Sequence, residues 1–237
     1  KNIIIYSDQM TYFKNDEVVI SKGDSKAIYN GMTLTANNFK YNKIKNVLNA
    51  NENVRAEDPI EDYIIFTNDL TYFKNEEIIY TKGKTDGIIQ SKYNFISKDV
   101  ILDRNLKELN SEHNSSINED DLNLYKLSKF KYFYEKKLLK GNNIEVISNY
   151  LKEKSDKFYF DEGFIDFKNN QFISKKTKVL LHKKLFDKER DIKIDKTNED
   201  EIKSKERFKG LNDPRILSAS SKGNKNKIVF DKAIFTS

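Results

Sequence analysis

The chain has 237 residues, of which 37% are hydrophobic, with 16 Phe, 13 Tyr and no Trp; aromatic and β-branched residues of this kind suit a pleated strand face. Two Pro and eight Gly argue against a collagen-like or linker sequence, and the lack of Cys excludes a disulfide framework and any thiolate metal site. A net charge of +6 from 43 basic and 37 acidic residues is spread along the chain. It reads as a solvated surface or a basic rim for an anionic lipid, with no basic, aromatic-laced stripe for nucleic acid.

In chain order, the first signal is a repeat. Residues 5–24 read IYSDQMTYFKNDEVVISKGD and residues 65–84 read IFTNDLTYFKNEEIIYTKGK, with nine of the twenty positions identical. A weaker unit of about thirty residues lies inside it, large–x–small–x–x–large–x–aromatic. It appears as Ile5, Ser7, Met10, Tyr12; as Leu34, Ala36, Phe39, Tyr41; and as Ile65, Thr67, Leu70, Tyr72. Phe95, Ser97, Val100 and Leu102 follow it, and degenerate copies are expected around Phe130–Tyr132 and Phe158–Phe160.

Each half of the unit alternates with period two, the mark of a strand, but the phase slips by one between the halves. For all four positions to face one interior, a bulge or bend must sit near Asp8-Gln9, Asn37-Asn38 and Asn68-Asp69. Turns are expected at Asn15-Asp16, Lys45-Asn46 and Asn75-Glu76, followed by returning strands carrying Val19, Ser21, Gly23, then Leu48, Ala50, then Ile79, Thr81, Gly83. Such short units expose an apolar face unless stacked on a neighbour. The expected fold is therefore all-β, an elongated, repetitive antiparallel β-jellyroll with two sheets in a V, or else a β-solenoid.

Residues 107–123 are polar and are expected to form a surface loop. Residues 1–186 would form the repetitive domain. Residues 187–237 would hold a charged irregular segment, with a short helix over 198–208 capped by Asn198, and final strands with Ile216, Ile228, Val229, Phe230 and Phe235 about a turn at Gly223-Asn224. No apolar run approaches the roughly 20 residues of a membrane-spanning helix.

Catalytic signals are sparse. His113 lies in the polar segment and His182 follows an apolar run. Glu119-Asp120-Asp121 lacks the alternating ligands of a calcium loop, and the isolated Lys-Gly pairs do not make a phosphate loop. The reading is of a non-enzymatic protein without cofactor or metal. A solenoid polysaccharide lyase or an adhesive structural module remain the rival classes.

The cores YSDQMTYF (6–13) and LTANNFKY (34–41), each followed by an apolar–small strand, resemble the OstA-like jellyroll of the lipopolysaccharide (LPS) transport machinery. The block 182–237, with Pro214-Arg215 and Phe235-Thr236-Ser237, resembles the periplasmic part of the LptD family of outer-membrane LPS-assembly proteins. The resemblance implies a periplasmic location at the outer membrane and LPS as cargo. It further implies an upstream LptA-like jellyroll joined by edge-strand addition, an outer-membrane barrel of the same protein, and an LptE-like lipoprotein. A soluble LptA-like bridge is the alternative within the same class. Family members carry cysteines near both ends of this region and this chain has none, so it is expected to be a piece that stops short of them. The groove lining expected from the repeat is Ile5, Met10, Tyr12, Leu34, Ala36, Phe39, Tyr41, Ile65, Leu70, Tyr72 and Val100.

Overall fold

The computed structural model describes residues 2–120, 122–152, 155–182, 215–224 and 226–236. Among them every regular element is a strand. The chain runs back and forth as an antiparallel meander, each crossing being one long strand or two half-strands separated by a break. The first crossing is β1 (Ile4–Tyr6) and β2 (Gln9–Phe13), both paired to β3 (Val18–Tyr29). Four unbroken crossings follow: β4 (Met32–Asn42), β5 (Val47–Asp58), β6 (Tyr63–Phe73) and β7 (Ile78–Ile89).

The crossings then split into halves. β8 (Tyr93–Lys98) and β9 (Ile101–Asp103) both pair with β7, while β10 (Glu108–Ser111) pairs with β9 and β11 (Ser115–Glu119) with β8. β12 (Asn123–Leu127) and β13 (Lys129–Phe133) continue the two halves, which rejoin in β14 (Leu138–Ser148). β15 (Lys157–Asp166), β16 (Gln171–Leu180), β17 (Arg215–Asn224) and β18 (Ile228–Thr236) complete the sheet. At about 4.8 Å per crossing the stack extends roughly 60 Å.

The sheet folds along its midline, as the phase slip requires. The first crossing breaks between Tyr6 and Gln9, and register shifts fall at Lys22/Ser25, Thr35/Asn38, Asn51/Val54 and Thr67/Asp69. The returning strands absorb much of the distortion through left-handed residues: Gly23, Asp24, Glu52, Asn53, Gly83 and Asn143 all have positive φ. Small hydroxyl residues fill the fold line. Ser21 and Ser25, Thr81 and Thr85, Ser97 and Ser115 are buried and hydrogen-bonded in pairs at 2.7–2.8 Å. Other hydroxyls at the fold line donate to backbone carbonyls, as Ser111 does to Lys98 and Thr67 to Lys84. The small–x–x positions of the repeat are thus where the two half-sheets must approach closely without stranding backbone groups.

The expected surface loop at 107–123 is corrected here: β10, β11 and the start of β12 occupy it. Leu109–Ser111 and Ser115–Ile117 are the large–small signature in both directions, with the serines at the fold line and Leu109 and Ile117 in the core. The polar residues between them alternate outward. The thirty-residue period also appears in the turns. The amides of Lys43, Lys74, Arg104, Tyr134 and Phe167 each donate to the carbonyl of the turn below, at Glu17, Asn46, Glu77, Lys107 and Lys137, at 2.9–3.0 Å. The final strands turn beyond Asn224, and β17 pairs along β16. The expected helix over 198–208 lies outside the described residues.

A candidate acyl groove

Cross-strand register builds two continuous inward rows. One passes from Ile5 through Ala27, Leu34, Ala56 and Ile65, on by way of Phe95, Tyr125 and Phe158, to Ile216 and Phe235. The other passes from Tyr12 through Tyr41, Leu48, Tyr72, Leu102 and Tyr132 to Ile165, Phe172 and Ile228. Period-two alternation keeps each row on one face through the whole stack. An apolar track therefore runs the length of the fold, and what varies is whether the mouth between the half-sheets is shut.

In the middle it is shut. Leu34, Ala36, Phe39, Tyr41, Ile65, Leu70, Tyr72 and Val100 are buried, none more than 8% exposed. Glycine is required inside the first row, where Phe95 lies over its strand neighbour: a Cβ on Gly87 would lie 2.3 Å from the Phe95 ring and 2.7 Å from the Ile64 carbonyl oxygen. Across the mouth, Arg104 in the turn after β9 donates to Asp58 at 2.6 Å and to the Asn30 carbonyl at 3.2 Å, and is also paired with Glu77. Lys107 pairs with Glu61, Gln90 donates to the Tyr134 carbonyl at 2.6 Å, and Tyr132 donates to Gln90 at 2.8 Å. The Tyr72 hydroxyl donates to Glu77 at 2.8 Å; its acidity is suppressed by burial and by that carboxylate. Burial works against the Arg104 charge, but Tyr63, Asp58 and Glu77 together hold it protonated. Over this clasp lies a polar recess of about 300 Å³.

Among the described residues the track is open at both ends. In the first crossing Met10 and Tyr12 are about half exposed and Ile5 is half-buried. The larger opening is in the C-terminal third and was not foreseen from the repeat. Phe167, stacked on Tyr93 at 4.7 Å and edge-on to Tyr125 at 5.4 Å, forms an end wall. The apolar gap on its inner side measures about 10 Å³. On its outer side a cavity of about 450 Å³ opens between the lips, floored by Val146, Phe158, Phe160, Ile165 and Phe172. Phe160 and Phe172 stack at 5.4 Å, and Phe158 leans on Phe160 at 6.5 Å. The rim carries Glu119, Asn123, Asn149 and Asp156 on one lip and Asp166, Asn170, Gln171 and Asn224 on the other.

The sequence signals for this cavity were the degenerate copy at Phe158–Phe160 and the apolar positions of β16 to β18. Their weak match to the repeat hid them. The eleven residues expected to line the groove do share one interior, but eight form closed core and three lie at the open N-terminal end.

Chemistry beyond burial has little to work with among the described residues. His113 Nε2 pairs with Asp99 at 3.0 Å at the fold line, and Asp99 also accepts the Gly83 amide. The nearby Ser111 hydroxyl accepts the His113 backbone amide at 3.1 Å. Glu119 turns inward to Lys92, Tyr125 and Asn123 at 2.8–2.9 Å, away from any acidic cation loop. No group of three metal-ligating side chains forms among the described residues.

No protein-family model matches the chain, and no curated protein matches it. Among solved structures it is similar to LptH, described as the LptA-homologous periplasmic component of the lipopolysaccharide transport device of Pseudomonas aeruginosa. The identity is 13%, the TM-score 0.38, and the match covers 60% of this chain and 82% of that one. A likeness this weak carries no functional argument.

Proposed function

We propose that this chain is a non-enzymatic lipid carrier of the lipopolysaccharide assembly route, which holds acyl chains in its inward apolar track. The supporting observation is the 450 Å³ phenylalanine-floored cavity opening from the continuous apolar interior, a volume within the ordinary range for ligand sites. Each methylene buried there contributes roughly 0.8 kcal/mol, so a multi-acyl lipid is held without covalent chemistry.

The resemblance of 6–13, 34–41 and 182–237 supports reading it as the periplasmic domain of an LptD-like protein. It would receive LPS from an LptA-like jellyroll and pass it to its own outer-membrane barrel and an LptE-like lipoprotein. Strand addition by a neighbouring jellyroll would continue the ladder at β1 and β2, which among the described residues pair with β3 alone.

Photo-crosslinking residues at Phe158 and Phe172, with outward Lys40 and closed-core Tyr72 as controls, test the carrier role. LPS adducts are expected at the first two positions alone. A folded chain, supplied by its upstream bridge, that gives no adduct at Phe158 or Phe172 would sink the proposal.

A further inference from the structure

The rim of the cavity is unlike the rest of the molecule. The chain has more basic than acidic residues, 43 against 37, yet among the described residues the cavity lining holds three carboxylates, five side-chain amides and Ser148, and no Lys or Arg. Glu119 is neutralised by Lys92 at 2.8 Å. Asp156 accepts the His182 backbone amide at 2.8 Å, and Asp166 accepts the amide of Asn169 at 2.9 Å and its side chain at 2.7 Å. Those bonds fix the two carboxylates on opposite lips without cancelling their charge. Between them lie Asn123, Asn149, Asn170, Gln171 and Asn224, which can donate to and accept from hydroxyl groups.

We infer that this rim selects the uncharged, hydroxyl-rich sugar portion of a glycolipid next to the acyl chains, and turns away an anionic headgroup seated at the same place. The inference rests on the acyl-carrying reading above and adds the headgroup chemistry. Neutral sugar hydroxyls find both donors and acceptors at the rim. A phosphate held there meets Asp156 and Asp166 with no cation among the described lining residues, the nearest to Asp166 being Lys168 outside the lining, and like charges at such range repel even in a largely aqueous dielectric. Phosphates of a carried glycolipid must therefore project beyond the lips, away from the two carboxylates.

The chain contains no tryptophan, so Phe158→Trp gives a single reporter inside the cavity, with Phe172→Trp as a second. The full chain carrying either reporter is titrated with dodecyl maltoside and with dodecyl phosphate, each below its micelle concentration. The maltoside is expected to bind about tenfold tighter. The gap is expected to narrow to about threefold in D156N/D166N, which keeps both hydrogen-bond acceptors, and to narrow similarly at 500 mM salt, where screening is strong. Equal affinities in the unaltered rim, or a gap that survives D156N/D166N, would overturn the headgroup selection while leaving acyl carriage standing. Binding of neither amphiphile by a chain with native far-ultraviolet dichroism would overturn the carriage itself.

Discussion

The middle crossings and the C-terminal crossings are built from the same unit, yet one interior is sealed and the other stands open. In both, inward rows of large apolar residues run beneath hydroxyl-filled fold lines. The difference lies at the turns. Around β5 to β9, Arg104–Asp58 and Lys107–Glu61 pairs join the lips across the mouth, with Glu77 backing Arg104; beyond Phe167 the described lip residues are carboxylates and amides, with no cation among them to join the two sides. Strand pattern fixes that there is an apolar track, and turn residues decide where it is accessible.

The largest expected effect separates the two interiors directly. Tyr72→Ala removes a fully buried ring together with its bond to Glu77 and should lower unfolding free energy by about 3–5 kcal/mol. Phe172→Ala, in a half-buried wall already facing the cavity, should cost about 1 kcal/mol. Denaturant titration of both variants checks this, and equal losses would mean that the C-terminal interior is as tightly packed as the middle.

Next is the clasp. Arg104→Met strands Asp58, whose side chain is 2% exposed, and should cost about 3 kcal/mol. Adding Asp58→Asn and Glu77→Gln removes the orphaned charges and should recover most of that loss. If turns close the mouth, the triple variant should also admit lipid adducts at Tyr72 that the native chain excludes. Recovered stability with Tyr72 still silent would show that ring packing, not the clasp, keeps the middle shut.

The fold line was legible because a phase slip recurring at Asn37-Asn38 and Asn68-Asp69 has one physical remedy, a bend. Its left-handed partners on the returning strands were less so: Glu52 and Asn53 carry no special sequence mark, and their positive φ follows from matching a bent neighbour. The strands at 108–119 were hidden by composition, since Ser111 and Ser115 look like loop residues until the fold line gives them buried partners. The clasp was invisible for a different reason. Arg104 and Asp58 are 46 positions apart and meet only because two turn rows face each other across the mouth. The cavity was missed because it is made where the repeat decays, and a search for the best copies of a motif looks away from that region.

A smaller effect than the clasp's sits at the boundary between the two regions, at Glu119. Burial pushes its carboxyl upward, but hydrogen bonds from Lys92, Asn123 and Tyr125 more than offset this and hold it below its ordinary value of 4.5. Burial and the neighbouring carboxylate raise the Tyr125 hydroxyl well above its ordinary value, so it remains a donor. A carboxyl with a depressed folded-state value contributes stability that is complete above the unfolded value and is lost as pH falls through the folded one. The native chain should therefore shed this contribution only below about pH 4.5. Glu119→Gln should lower stability by about 1–2 kcal/mol at pH 7, where the charge-assisted bonds are intact, and should lose less than the native chain on acidification. Denaturation at pH 7 and pH 3.5 reads both quantities. A constant difference between the two proteins at both pH values would show that Glu119 acts through its shape alone, leaving the boundary between closed core and open cavity to Phe167 and its stacked tyrosines.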